Sequence, residues 1–131
     1  MLERLKLLEE NISELVALKN KFALKDIQDD KTMEWALRYG LLETIQTVID
    51  ISCHLVSKYN LGNPASYSEC IELLEKHSYI DNELKTRLIG MVGLRNLLIH
   101  EYVIIEVDKL YALLNDLGDF SMFAKKINKL L

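Results

Sequence analysis

From Leu2 to about Leu24 the apolar residues Leu5, Leu8, Ile12, Leu15 and Phe22 recur at three- and four-residue intervals between Glu and Lys. That spacing predicts an amphipathic helix with one buried stripe. Asp26, Asp29 and Asp30 supply short side chains able to cap a second helix from about Lys31 to Lys58, running through Trp35, Leu42, Ile45, Ile49, Cys53 and Val56 with Gly40 inside it. The stretch YNLGNPASY has strong turn chemistry, and Ser66 followed by Glu69 reads as a capping box opening a short helix to about Lys76. His77 to Ile80 reads as a connection. Asp81 then caps a helix carrying Leu84, Leu88, Met91, Val92 and Arg95, and Asp108 caps a last one through Leu110, Leu113, Leu114, Leu117 and Phe123 to a tail rich in lysine. No sustained alternating pattern appears, although the β-branched run at 103–107 can be extended. The pattern predicts an all-α fold, an antiparallel up-and-down four-helix bundle with one additional short helix, formed as a single domain over 1–131.

Composition agrees with one globular core. Half of the 131 residues are hydrophobic and 27% are charged, with a single proline and no low-complexity tract. No run is long and apolar enough for a membrane span, and acids stand at the amino terminus where a signal peptide carries an apolar stretch, so a soluble, cytoplasmic protein is expected. The net charge of −4 excludes the overall basic footprint of a dedicated nucleic-acid binder; any RNA contact must come from a local basic cleft. Cys53 and Cys70 stand apart without a CxxC partner and are expected as core thiols rather than a disulfide framework, and together with His54 and His77 they fit no common zinc spacing. No metal and no cofactor are expected.

One stretch departs from plain core patterning: GLRNLLIHEY at 93–102 sets Arg95, Asn96, His100 and Tyr102 into an apolar helix. On an ideal helix Arg95 and Tyr102 fall within about twenty degrees of each other, whereas Arg95 and His100 diverge by about 140 degrees. Both can serve one phosphate only if the helix ends near Ile99, or if two copies of the chain assemble the site across a twofold axis. The residue types suit metal-free RNA cleavage. A histidine can move the protons of the 2′-hydroxyl and the departing 5′-oxygen, an arginine fork matches the phosphoryl oxygens, and Asn96 can orient either partner. An arbitrary Arg and His in a helix are more often an interhelical ion pair and a C-terminal cap. The full spacing R-x-x-x-x-H-x-Y, with Asn after Arg, arises by chance in roughly one chain of this length in a few hundred.

This stretch resembles the signature of the HEPN superfamily and specifically of its HepT-like toxins. WALRYGLLETIQTVIDISCHLV, NPASYSECIELLEKHSYID and MVGLRNLLIHEY look like the family's second helix, its connection with short helix, and its motif helix, together covering roughly 30–115. The resemblance implies a homodimeric, metal-independent endoribonuclease, the toxin of a type VII toxin-antitoxin pair, partnered by an MntA-like nucleotidyltransferase antitoxin that silences it by transferring AMP to the motif tyrosine. By position it implies Arg95 and His100 as catalytic, Asn96 as supporting and Tyr102 as the AMP acceptor. The alternative is a noncatalytic partner or nucleotide-binding subunit of a minimal nucleotidyltransferase. Asp50 and His54, four apart, form a candidate carboxylate and imidazole pair near the same cleft. Trp35, Tyr39, Tyr67 and Tyr79 read as core or interface aromatics rather than base-stacking platforms, because no basic residues interleave with them.

Overall fold

The computed structural model describes residues 1–100 and 104–131; Tyr102, the expected AMP acceptor, lies outside the described residues. Among the described residues the elements are helical: α1 (Leu2–Lys21), α2 (Leu24–Gln28), α3 (Lys31–Lys58), α4 (Tyr67–Lys76), α5 (Asn82–Ile99), α6 (Val107–Ala112) and α7 (Leu117–Asn128), with a 3-10 turn at Leu113–Asp116. The all-α bundle is as expected. Three of the expected caps form: Asp30 accepts from the backbone N–H groups of Thr32 and Met33, Ser66 from Glu69 and Asp81 from Leu84. Each meets donors that the first turn of a helix cannot satisfy internally.

Two elements differ from the sequence pattern. The connection after α1 contains α2, whose Ile27 is completely buried and whose Asp26 carboxylate accepts from the Ala23 backbone N–H. The last helix is divided into α6 and α7, and it starts from Glu106 rather than from Asp108. Asn115 and Asp116 sit in the dividing turn, where short polar side chains compete with helical backbone bonding.

The core is one continuous apolar cluster drawn from every helix, with Phe120, Phe123, Leu8, Leu37, Leu55 and Ile71 among its fully enclosed members. α3 runs through its centre, packed on α1, α4 and α5. A Cβ built on Gly40 would stand 2.9 Å from Leu15 Cδ2, so the glycine lets α1 lie close against α3. No helix among the described residues is long and apolar enough to cross a membrane.

The expectation for the cysteines is corrected. Cys53 on α3 and Cys70 on α4 are joined in a disulfide, with Cα atoms 5.1 Å apart. The spacing reading failed because the two residues are 17 apart in sequence and meet only when α4 folds back along α3. Of the aromatics expected in the core or at an interface, Trp35, Tyr39 and Tyr67 are exposed and so lie outside the core of this chain, while Tyr79 is half-buried beside Tyr59.

Candidate functional site

α5 carries the motif along the side of α3. Its buried face is Leu84, Leu88 and Val92, which leaves Arg95 half-buried and Asn96 exposed at the carboxyl end. Arg95 is held from three directions. Its Nε donates to Gln46 Oε1 of α3 at 2.8 Å, its Nη1 donates to Asn96 Oδ1 at 3.2 Å, and its guanidinium lies 5.1 Å from the centre of the Tyr67 ring of α4. Gln46 is itself fixed, because its Nε2 donates to Asp50 Oδ1 at 2.9 Å. The carboxylate therefore orients the amide, the amide orients the guanidinium, and the ring gives the cation a face to rest on.

α5 ends at Ile99, and His100 stands at its carboxyl cap with extended backbone, φ −87° and ψ 110°. The helix end near Ile99 that the sequence left open is observed, and His100 is exposed and lies off the ideal helical path. The chain is anchored again just beyond the motif, where Arg38 Nη2 of α3 donates to the Ile105 carbonyl at 2.5 Å. Gln46 and Arg38 lie eight residues apart, about 12 Å along α3. These two anchors bracket His100 in sequence and keep the motif end of α5 beside one segment of α3.

Asp50 takes its bond from Gln46, which in turn accepts from Arg95, a link that the sequence pairing with His54 missed. The signal was present, since Gln46 and Asp50 are also four apart. His54 is half-buried and its pKa is lowered, by burial first and then by the positive charges of Arg4, the amino terminus and Lys58. Sequence reasoning also missed Tyr67 as a support for Arg95, because that contact joins helices far apart in sequence.

Beside Arg95 is a cavity of about 540 Å³, lined by Pro64, Tyr67, Val92, Asn96 and the two bridged cysteines among others. A second cavity of about 710 Å³ opens between α5 and α7, but Asp81, Glu83, Asp116 and Asp119 line it around Arg87. Acids so placed repel a phosphodiester, which leaves the Arg95 side of α5 as the candidate site.

Comparison with known proteins identifies the family and the fold. A family profile described as "Ribonuclease HepT-like" matches residues 8–127. The chain is 30% identical over 97 residues to the mRNA nuclease HepT of Shewanella oneidensis, covering 73% of each protein. It is 31% identical over 93 residues to the tRNA nuclease HepT of Aphanizomenon flos-aquae, covering 70% of this chain and 63% of that one. Among solved structures, a tri-AMPylated Shewanella oneidensis HEPN toxin in complex with an MNT antitoxin superposes with TM-score 0.88 at 24% identity, over 98% of this chain and 96% of the other. YutE of Bacillus subtilis, a cytosolic protein of unknown function, shares the fold with TM-score 0.84 at 18% identity, over 98% and 86% of the two chains. The chain belongs to the HepT-like ribonuclease family, the class to which its R-x-x-x-x-H-x-Y stretch pointed.

Proposed function

We propose that this HepT-like ribonuclease toxin cuts RNA without a metal ion, at a composite site built across the twofold axis of a homodimer. In this reading the Arg95 guanidinium binds the scissile phosphate and offsets the charge that gathers on its oxygens as the phosphorus becomes pentacoordinate. His100 of the partner protomer takes the proton of the 2′-hydroxyl as its oxygen bonds to phosphorus, and the imidazolium so formed gives a proton to the 5′-oxygen as its bond to phosphorus breaks, leaving a 2′,3′-cyclic phosphate and a free 5′-hydroxyl. Asn96 steadies the guanidinium.

The observation that carries the reading is the pairing of a firmly held Arg95 with a helix that stops one residue before His100. The apolar side chains exposed around that end, Tyr39, Leu97, Ile99 and Ile104, favour a second copy covering it. Tyr102 is the proposed acceptor of AMP from an MntA-like nucleotidyltransferase antitoxin acting in the cytoplasm. A phosphodiester there adds negative charge and bulk beside a cleft meant for RNA phosphates.

The test is cleavage of total RNA in EDTA. Wild type should cut and leave 2′,3′-cyclic ends, while Arg95→Ala and His100→Ala should stay folded and inactive. Equal cutting by all three proteins would reject the assignment. Incubation with the antitoxin and ATP should add the mass of AMP to Tyr102, and a Tyr102→Phe variant should escape silencing.

A further inference from the structure

We propose that Cys53 and Cys70 form a reversible thiol–disulfide modification site that sets how firmly Arg95 is held, and through it the rate of RNA cleavage. The inference rests on the ribonuclease reading above for its functional consequence, but its structural part stands on geometry alone.

The disulfide joins the two helices that hold Arg95. On α4, Cys70 is three residues from Tyr67, whose ring carries the guanidinium; on α3, Cys53 is seven residues from Gln46, which accepts from Nε. Spacings of three and seven keep each sulfur on the same face of its helix as the residue that touches Arg95. The bridge, the aromatic ring, the amide and the guanidinium therefore form a closed circuit through α3, α4 and α5. α5 completes it from both sides, since Val92 and Asn96 line the same 540 Å³ cavity as the two sulfur-bearing residues. That cavity gives a small thiol a way in, and Cys53 is only half-buried within it.

The chemistry is an exchange with a dithiol reductant. One of its thiolates attacks a sulfur of the bridge, the bond between Cys53 and Cys70 breaks, and the reductant's second thiolate closes its own disulfide. Two electrons and two protons pass to the protein as two cysteine thiols. Unbonded sulfurs rest farther apart than bonded ones, by roughly 1.5 Å, so α4 moves relative to α3 while its buried Ile71 and Leu74 keep it docked. A displacement of that size at a group that positions a phosphate is enough to change a rate, since an error of about 1 Å can cost up to 10²-fold. The bridged form holds Arg95 between ring and amide and is the faster nuclease; the dithiol form is the slower one, which suits a compartment that keeps thiols reduced.

The test compares the full-length chain with and without dithiothreitol, with thiol alkylation and mass measurement to count the free cysteines. The expected result is a shift of the Arg95 Nε–H signal in a nitrogen-15 spectrum on reduction, with a fall of about threefold or more in the RNA cleavage rate. A double variant, Cys53→Ser with Cys70→Ser, should give the reduced-form signal and rate in both buffers. The wild-type comparison needs no substitution, so a variant that folds poorly does not spare the proposal. An Arg95 signal identical in both forms, a rate within about threefold, or the same response in the double variant overturns it. If the signal responds while neither form cuts RNA, the cysteine control of Arg95 is supported and the ribonuclease reading fails separately.

Discussion

A guanidinium on a long flexible side chain serves a phosphate well only when something has already removed its freedom, and in this chain that something is Gln46 and Tyr67. The Gln46 amide is turned by Asp50 so that its oxygen meets Arg95 Nε at 2.8 Å. Gln46→Leu, close in size but without an acceptor, should lower the cleavage rate by about tenfold with little change in KM, because orientation rather than binding is lost. Its stability should stay within about 0.5 kcal/mol of wild type, and Gln46→Glu combined with Asp50→Asn, which exchanges amide and carboxylate and so keeps a donor between them and an acceptor for Arg95, should recover most of the rate. Wild-type cutting by the leucine variant would remove Gln46 from the site. His54 makes a different prediction at the same scale. Its pKa is lowered from 6.5 in the folded chain, first by burial, so the unfolded chain binds its proton more readily. The contribution is therefore intact above the unfolded value and is lost as pH falls below it toward the folded one. Urea midpoints measured from about pH 7 down to about pH 5 should decline, and His54→Gln should flatten that part of the profile. The residues of the motif itself were legible because their chemistry is unusual for an apolar helix. Gln46 and Tyr67 were not, since an amide and a tyrosine on separate helices gain meaning only once α3 and α4 lie beside α5.

At the scale of elements, what could be read from sequence depended on whether a helix has one wet face. α1 and α3 alternate apolar and polar positions at helical spacing, and the expected bounds of α3, Lys31 to Lys58, coincide with the observed ones. α4 was found through its Ser66 cap and α5 through Asp81, in both cases because a short oxygen acceptor marks where helical bonding begins. α2 escaped because five residues with one enclosed Ile27 carry no period, and the break between α6 and α7 escaped because leucines at 113, 114 and 117 continue an apolar stripe through the 3-10 turn. α5 shows a further limit: Leu97 and Ile99 are exposed while Leu88 and Val92 are buried, so its apolar residues alone do not say which side faces the core. The cap that opens α5 predicts a cost. Asp81→Ala leaves the Leu84 N–H without its 2.8 Å acceptor and should lower unfolding free energy by about 1 kcal/mol, read from a denaturant midpoint at unchanged slope. Gly40→Val should cost more, about 1–3 kcal/mol, since its first side-chain carbon already meets Leu15 at 2.9 Å and a branched one pushes α1 from α3. An equal or higher midpoint for the valine variant would mean that the close approach of the two helices is not needed.

For the whole molecule, the deciding question is whether one chain or two make the cleavage site, and a mixing experiment separates the cases. Suppose that Arg95 of each protomer works with His100 of its partner. A dimer of Arg95→Ala with itself then lacks every guanidinium, a dimer of His100→Ala with itself lacks every imidazole, and both are inactive. A mixed dimer is different: the first chain still supplies its histidine and the second its arginine, so one of the two trans pairs is intact. Random exchange makes about half of all dimers mixed, and each keeps half of its pairs, which predicts recovery of about a quarter of wild-type activity on combining two inactive proteins. If Arg95 and His100 of the same chain form the site, no mixture contains a complete pair and nothing is recovered. The exposed apolar side chains make the exchange itself testable: Tyr39→Asp and Ile99→Asp put charges onto the face proposed to meet the second copy. Those variants should elute near the 15.2 kDa of a single chain and lose cutting together with dimerisation, although neither residue has chemistry to offer a phosphate. A single-chain species that cuts at the wild-type rate would end the composite-site reading while leaving the fold and family untouched.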